Sequence, residues 1–258
     1  MALKGKCRSI LGIDPDAEAI SLALSREIVD EAAQFAGNQI ADADLIILAA
    51  PVKANLAILR EIHDLHPGKA IVLDLGSTKS VITAEMARLP AQFDPIGGHP
   101  MCGKEHGGLL NADPRIFIQA PFALTPLQRS SANARMAAET LVRMLGSQPL
   151  WLDPETHDRW VACTSHLPFL IASALAASTP PESSPMIGPG FRSTARLAPS
   201  PWSVMGDILE TNRENILRSV QDFSRQLNQL ERYLQDGDFH QLREQIETAS
   251  RNYEKLIR

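Results

Sequence analysis

Up to about residue 150, short apolar runs alternate with segments whose apolar positions recur every three or four residues. Runs at 9–14, 45–50 and 70–73 predict strands, with weaker candidates at 122–125 and 150–152. The run at 45–50 is apolar throughout, as a strand covered on both faces should be. Between the runs, 52–63 predicts a helix that places Leu56, Leu59 and Ile62 on one face, with Pro51 suited to its first turn. Segments 78–88 and 129–145 read the same way. Strands alternating with helices imply βαβ units and a parallel sheet. The pattern changes at Asp153-Pro154, a helix N-cap followed by proline at the first helical position. Beyond it no strand pattern is found. Residues 155–177 predict a buried helix, and the six prolines between 180 and 201 predict an irregular connector. From 207 to 234 the apolar positions Leu209, Ile216, Val220, Phe223, Leu227, Leu230 and Leu234 form a coiled-coil-type seam. Gly237 ends that helix and 239–257 supplies another. The expected architecture is an α/β domain over 1–152 followed by an all-α module over 153–258, and the long seam favours a homodimer.

Composition narrows the class. The 258 residues carry 25 Lys+Arg against 30 Asp+Glu, a net charge of −5 with no basic run, so a nucleic-acid partner is not expected. Cys7, Cys102 and Cys163 are far apart, with neither CxxC spacing nor a Cys/His cluster. That argues against a disulfide framework or a metal site and favours the reducing cytoplasm. The apolar stretches, 45–52 among them, are too short for a membrane span, and no signal-peptide core opens the chain.

Candidate chemistry sits where strands end. Asp14 follows the first strand, where dinucleotide-binding folds place an acid that bonds the adenosine ribose hydroxyls and repels a 2′-phosphate; it equally suits a helix cap. Ala49-Ala50-Pro51 follows the next clear strand, where small residues let a cofactor approach or simply make a tight turn. Asp74-Leu75-Gly76-Ser77-Thr78-Lys79-Ser80 is a hydroxyl-rich turn opening a helix, with N–H groups available to a polar ligand. Gly97–Gly108 holds five glycines, His99, His106, Lys104 and Glu105, and has no core periodicity. It reads as a ligand-approaching loop with a histidine able to exchange protons near neutrality. In the helical half, His157-Asp158 reads as a surface pair, while His166 precedes a kinking Pro168. Arg192 and Arg196 in the connector suit a carboxylate.

In order, Gly12-Ile13-Asp14, 43–52, Asp74-Leu75-Gly76-Ser77-Thr78-Lys79, Gly98-His99-Pro100-Met101-Cys102-Gly103-Lys104-Glu105, Ser165-His166-Leu167-Pro168 and Gly190-Phe191-Arg192 through Arg196-Leu197-Ala198 resemble the prephenate/arogenate dehydrogenases of tyrosine biosynthesis. The resemblance covers nearly the whole chain. It implies a Rossmann-like nucleotide-binding domain, a helical dimerisation domain, and NAD(P)-dependent oxidative decarboxylation of prephenate or arogenate. It implies that His99 bonds the ring hydroxyl and accepts its proton, while Ser77 contacts that hydroxyl and the nicotinamide. Arg196 would hold a substrate carboxylate, with Glu105 near the pocket mouth and His166 also toward the substrate. Asp14, Ala50, Pro51 and Ser77 would line the cofactor, with Asp14 favouring NAD over NADP.

The Gly-x-Gly-x-x-Gly turn expected about 20 residues before such an acid does not occur in these 258 residues. With 2–6 read as the end of a first helix, the chain starts inside the first βαβ unit, without its first strand and Gly-rich loop. The expectation is a longer natural protein; the alternative is a shortened, non-catalytic dimeric remnant with impaired cofactor binding. Phe169 stands where many relatives carry His or Tyr, and Ser193 and Ala195 replace frequent Asp and Thr, leaving prephenate versus arogenate open.

Overall fold

The computed structural model describes residues 5–104 and 108–257. Glu105 and His106 therefore lie outside the described residues, as does most of the helix end expected at 2–6, of which Gly5 and Lys6 stand in a turn. The chain forms two compact units, residues 1–213 and 214–258.

In the first unit, β1 (Leu11–Ile13), α1 (Ala17–Ser25) and β2 (Glu31–Ala33) make a parallel βαβ pair. A second sheet has the order β3 (Leu45–Leu48), β4 (Ala70–Asp74), β5 (Phe93–Pro100), β6 (Pro121–Pro126), β7 (Gln148–Trp151). Its pairs are parallel except β5 with β6, which is antiparallel. The chain returns from β5 to β6 through short 3-10 turns at Leu109–Asn111 and Pro114–Phe117 rather than through a crossover helix, which is what an antiparallel neighbour permits.

Neighbouring residues of β4 face opposite sides. Val72 joins Leu48, Leu59, Ile62, Ile82, Met86 and Phe93 in one buried cluster, under α2 (Val52–Leu65) and α3 (Ser80–Met86). Leu73 joins Ile96, Phe122, Leu124, Ala138, Leu141 and Val142 in another, under α4 (Ala132–Met144). Burial on both faces explains why these strands read as unbroken apolar runs.

β2 and β5 escape the hydrophobic pattern. β2 is three residues long, with Glu31 exposed. β5 contains part of the stretch read as a loop, because Gly97-Gly98-His99-Pro100 continues the strand. A Cβ on Gly97 would lie 2.2 Å from Thr125 Oγ1 and 3.3 Å from Lys79 Cδ, and one on Gly98 would press Phe122, Leu73 and the Asp74 carbonyl at 3.0–3.2 Å. These glycines are strand residues stripped of side chains so that β5 fits between β4 and β6 with Lys79 lying across it.

The helical part of the unit opens as expected. Asp153 accepts a hydrogen bond from Thr156 N and Pro154 is the first residue of α5 (Pro154–Val161). A π turn, Ala162–His166, then leads into α6 (Leu167–Ser178). Only a stripe of this continuous helix is buried: His157, Asp158, Val161, Ala162, His166, Phe169 and Ala172. By length and composition Pro154–Ser178 could cross a membrane, contrary to the reading of the apolar stretches as too short. Its buried His157 and Asp158, however, are hydrogen-bonded to the α/β part and its buried His166 to Asn212, as a core helix requires. The connector holds a 3-10 stretch, Pro181–Met186, and α7 (Pro189–Thr194). The helix expected over 207–234 is two helices, α8 (Trp202–Thr211) and α9 (Arg213–Gln235), parted at Asn212, whose side chain is buried in hydrogen bonds to Asp158 and His166. In the second unit, Gly237 at φ +69° ends the α9 turn, and α10 (Phe239–Leu256) is capped by Asp238.

Gly97→Ala is expected to destabilise the protein by about 1–3 kcal/mol, the overpacking range. Gly188→Ala, where a Cβ meets nothing within 4 Å, should stay within about 0.5 kcal/mol. Urea unfolding of the two variants measures the contrast.

Candidate active site

The turn after β4 is built around a buried lysine. Asp74 Oδ1 accepts from Asn55 Nδ2 at 2.9 Å and from Gly76 N at 3.0 Å. Asn55 also donates to the Leu48 carbonyl at 3.2 Å and accepts from Ala50 N at 3.1 Å. One amide side chain thus ties the turn after β3 to the turn after β4. Asp74 Oδ2 pairs with the Lys79 ammonium, which also donates to the Gly98 carbonyl at 2.7 Å.

The N–H groups opening α3 do not await a ligand. Lys79 N donates to Asp158 Oδ1 at 2.7 Å and Ser80 N to Asp158 Oδ2 at 2.8 Å. A carboxylate from α5 caps α3 across the unit, where the helix dipole favours negative charge. Burial alone would raise the Asp158 pKa, but the hydrogen bonds from His157, Ser80 and Lys79 outweigh it and hold the carboxyl below its ordinary value.

His157 and Asp158, read as a surface pair, are each 1% exposed. His157 Nδ1 lies 2.9 Å from Asp158 Oδ1, and His157 Nε2 lies 2.9 Å from His99 Nδ1. An acceptor-only carboxylate assigns the proton to His157 Nδ1. In the tautomer in which His99 Nδ1–H donates to His157 Nε2, His99 Nε2 carries a bare lone pair. No described residue is hydrogen-bonded to that nitrogen. Burial, then the neighbouring His157, Lys79 and His166, push the His99 pKa well below its ordinary value, so its ring is neutral at pH 7.

His166 approaches from the π turn. Asn212 Nδ2 donates to the Asp158 carbonyl at 2.7 Å and lies 3.3 Å from His166 Nδ1. The His166 pKa is pushed down to about 4, first by burial and further by His157, with the Asp158 carboxylate opposing. α8 is anchored nearby: Thr211 Oγ1 lies 2.9 Å from Thr78 Oγ1, and Asp207 and Glu210 accept from Lys53 N and Nζ.

Among the residues singled out in the sequence, His99 and His166 therefore meet around His157. Ser77 is partly buried in the turn two residues before Lys79, with no hydrogen bond to its hydroxyl among the described residues. Ala50 and Pro51 open α2 at the end of β3. Asp14 ends β1 in the two-stranded sheet, and its Oδ1 accepts from Asp16 N at 2.9 Å. The helix cap is Asp16, not Asp14, which leaves Asp14 Oδ2 available. Arg196 follows α7 and is exposed. His157, Asp158, Asn212 and Lys79 are the residues the sequence reading left out; the legible sign was an Asp beside a His one turn into a well-capped apolar helix.

Comparison with known proteins matches residues 1–148 to the family model "Prephenate dehydrogenase, nucleotide-binding domain" and residues 153–248 to "Prephenate dehydrogenase, dimerization domain". The prephenate dehydrogenase of Bacillus subtilis is 28% identical over 250 residues, covering 94% of this chain and 67% of the relative. That of Lactococcus lactis is 32% identical over 232 residues, covering 86% of this chain and 62% of the relative. The chain thus spans about two thirds of the length of these two relatives. The crystal structure of prephenate dehydrogenase from Aquifex aeolicus superposes with a TM-score of 0.88 at 25% identity, covering 98% of this chain and 93% of that one. The Rossmann-like α/β domain followed by a helical domain is shared with it.

Between the ordinary histidine pKa near 6.5 and about 4, the unfolded chain binds a proton at residue 166 that the folded chain does not. Stability is therefore full above pH 6.5 and falls on acidification through that window, by up to about 3 kcal/mol from this group. Urea unfolding between about pH 4 and 7 should show a shallower acid loss in His166→Gln than in wild type.

Proposed function

This chain belongs to the prephenate dehydrogenase family, and on that basis we propose that it oxidatively decarboxylates a cyclohexadienyl acid, prephenate or its amino counterpart arogenate, with NAD⁺. The observation that carries the reading is the Asp158–His157–His99 series, whose spacing suits a His99 tautomer with Nδ1–H toward His157 and Nε2 unprotonated. The reaction needs a base that is free at neutral pH and held in one orientation.

The residues present fit the adenosine-ribose and nicotinamide ends of a dinucleotide. Ala50 and Ser77 follow the C-terminal ends of β3 and β4 in the five-stranded sheet, and Asp14 follows that of β1 in the two-stranded sheet, the strand ends at which open α/β sheets bind ligands. Asp14 would accept from the adenosine ribose hydroxyls, and its charge would select NAD over NADP. Ala50 and Pro51 would pass close to the cofactor, and Ser77 would reach the nicotinamide side. The chemistry supplied by bound NAD⁺ is acceptance of a hydride from the carbon bearing the ring hydroxyl.

His99 Nε2 takes the hydroxyl proton as the hydride leaves, and loss of carbon dioxide from the opposite ring carbon makes the ring aromatic. The proton then returns from Nε2 to the phenolate oxygen, so none is gained or lost overall. Throughout, His99 Nδ1–H remains bonded to His157, and the Asp158 carboxylate steadies the cation formed. The Ser77 hydroxyl orients the substrate hydroxyl. Asn212 at His166 Nδ1 leaves His166 Nε2–H as a neutral donor toward the substrate. Arg196 would take a substrate carboxylate, and Glu105 would stand at the pocket mouth.

Two further assignments accompany this reading. The active species is a homodimer through the helical domain: Leu227, Leu234, Phe239, Ile246 and Tyr253 are each more than half exposed on α9, α10 and the start of α10, too much apolar helix surface for water. The compartment is the cytoplasm, a reading that rests on three cysteines far apart in the sequence with no CxxC spacing.

With NAD⁺ and prephenate or arogenate, appearance of reduced cofactor is expected, and its absence with both substrates would leave a binding module instead. His99→Asn should lower kcat about 10²–10⁴-fold with KM near that of wild type; unchanged kcat removes His99 from the mechanism. Leu227→Glu/Leu234→Glu should move the sedimenting species from dimer toward the 28.2 kDa monomer.

A further inference from the structure

Lys79 is a lysine with no exposed surface, and its two ends reach the same histidine by different routes. Its ammonium holds the Gly98 carbonyl at 2.7 Å, which belongs to the peptide joining Gly98 to His99. Its backbone N–H holds Asp158 Oδ1 at 2.7 Å, and that same oxygen orients His157, which bonds His99 Nδ1. The hydrogen bonds and the chain close into one loop, from Lys79 N through Asp158, His157, His99 and Gly98 back to Lys79 Nζ. Burying an ammonium is costly even when paired, and a helix of this length needs no lysine there to fold. We propose that Lys79 is a positioning residue for His99, fixing the backbone that carries the imidazole through its ammonium while its N–H fixes the carboxylate that orients His157.

The ammonium has a second effect through space. Among the described residues, the charged or titratable groups around His99 are Lys79 on the β4–α3 turn, with Asp74 at the end of β4 behind it, and His157 and His166 on the long helix, with Asp158 behind His157. Lys79 is the fixed cation among them, and it disfavours a charged imidazole. It therefore helps keep His99 unprotonated before the reaction.

The catalytic part of this inference rests on the activity proposed above; the effect on His99 itself does not. Histidine side-chain NMR of the full chain, without substrate, would follow the His99 ring in wild type, Lys79→Met and Asp74→Asn/Lys79→Met. The double variant removes both charges together, guarding against a fold lost to an unpaired buried carboxylate. The His99 titration midpoint should rise in both variants, most in Lys79→Met. With substrate and NAD⁺, kcat should fall about 10–100-fold, as for a small misplacement of a reacting group. KM should change little, and the acid limb of the kcat profile should move to higher pH with the NMR midpoint. A folded double variant whose His99 titrates as in wild type, with kcat unchanged, overturns the proposal. Wild type inactive on both substrates, with the NMR midpoint still displaced in the variants, defeats the proposed activity and leaves the Lys79–His99 coupling standing.

Discussion

The Asp158 carboxylate has three hydrogen-bond donors and almost no water. It accepts from two backbone N–H groups at the start of α3 and from the His157 ring, and is 1% exposed. The donors serve two tasks. The backbone donors fasten the long helix to the turn after β4, and the imidazole begins the path to His99. Removing such an acceptor would leave buried donors unsatisfied on both sides, a loss larger than the net worth of any one of the bonds. The fold and the site therefore share a single anion, and the dipole of α3 helps keep it charged.

Around it, the α/β part behaves as a frame with little freedom. Asn55 links the turns after β3 and β4, Lys79 links the turn after β4 to β5, and Thr78 meets Thr211 at the end of α8. These links converge at the C-terminal ends of β3 and β4 and on β5. The two glycines beside His99 belong to the same design, since a side chain at either would collide with β6 or β4 before it reached the pocket. Dense packing of this kind leaves the imidazole few alternative positions, the condition under which hydrogen-bonded groups act with defined geometry.

Much of this was legible in the sequence, and the misses are instructive. β4 and β6 showed as apolar runs because they are buried on both faces, and β3 showed as one although Leu45 is exposed. The cap at Asp153-Pro154 announced α5, and Gly237 announced the end of α9. His99 stood out in a stretch with no core periodicity, and His166 as a polar residue in a helix expected to be buried. What stayed hidden was polar burial: Asp158, His157 and Lys79 look like solvated charges until the opposite element supplies their partners. β5 was concealed for the converse reason. Its glycines and proline suggest a loop, and only the presence of β4, β6 and the Lys79 side chain explains why a strand should be so bare there. Asn212 interrupted a regular seam so that its side chain donates to the Asp158 carbonyl, far away in the sequence.

The π turn between α5 and α6 has a consequence for which way the two ring systems point. His157 and His166 stand 9 positions apart (166 − 157), and a uniform α-helix, at about 100° per residue, would aim them in opposite directions. The wider turn at Ala162–His166 absorbs one surplus residue, cutting the angle between them to about a quarter revolution. Pro168, which has no N–H to give to the preceding turn, makes that local irregularity inexpensive. One misfit residue in an otherwise ordinary helix thus lets a single rod serve two imidazoles to one cleft.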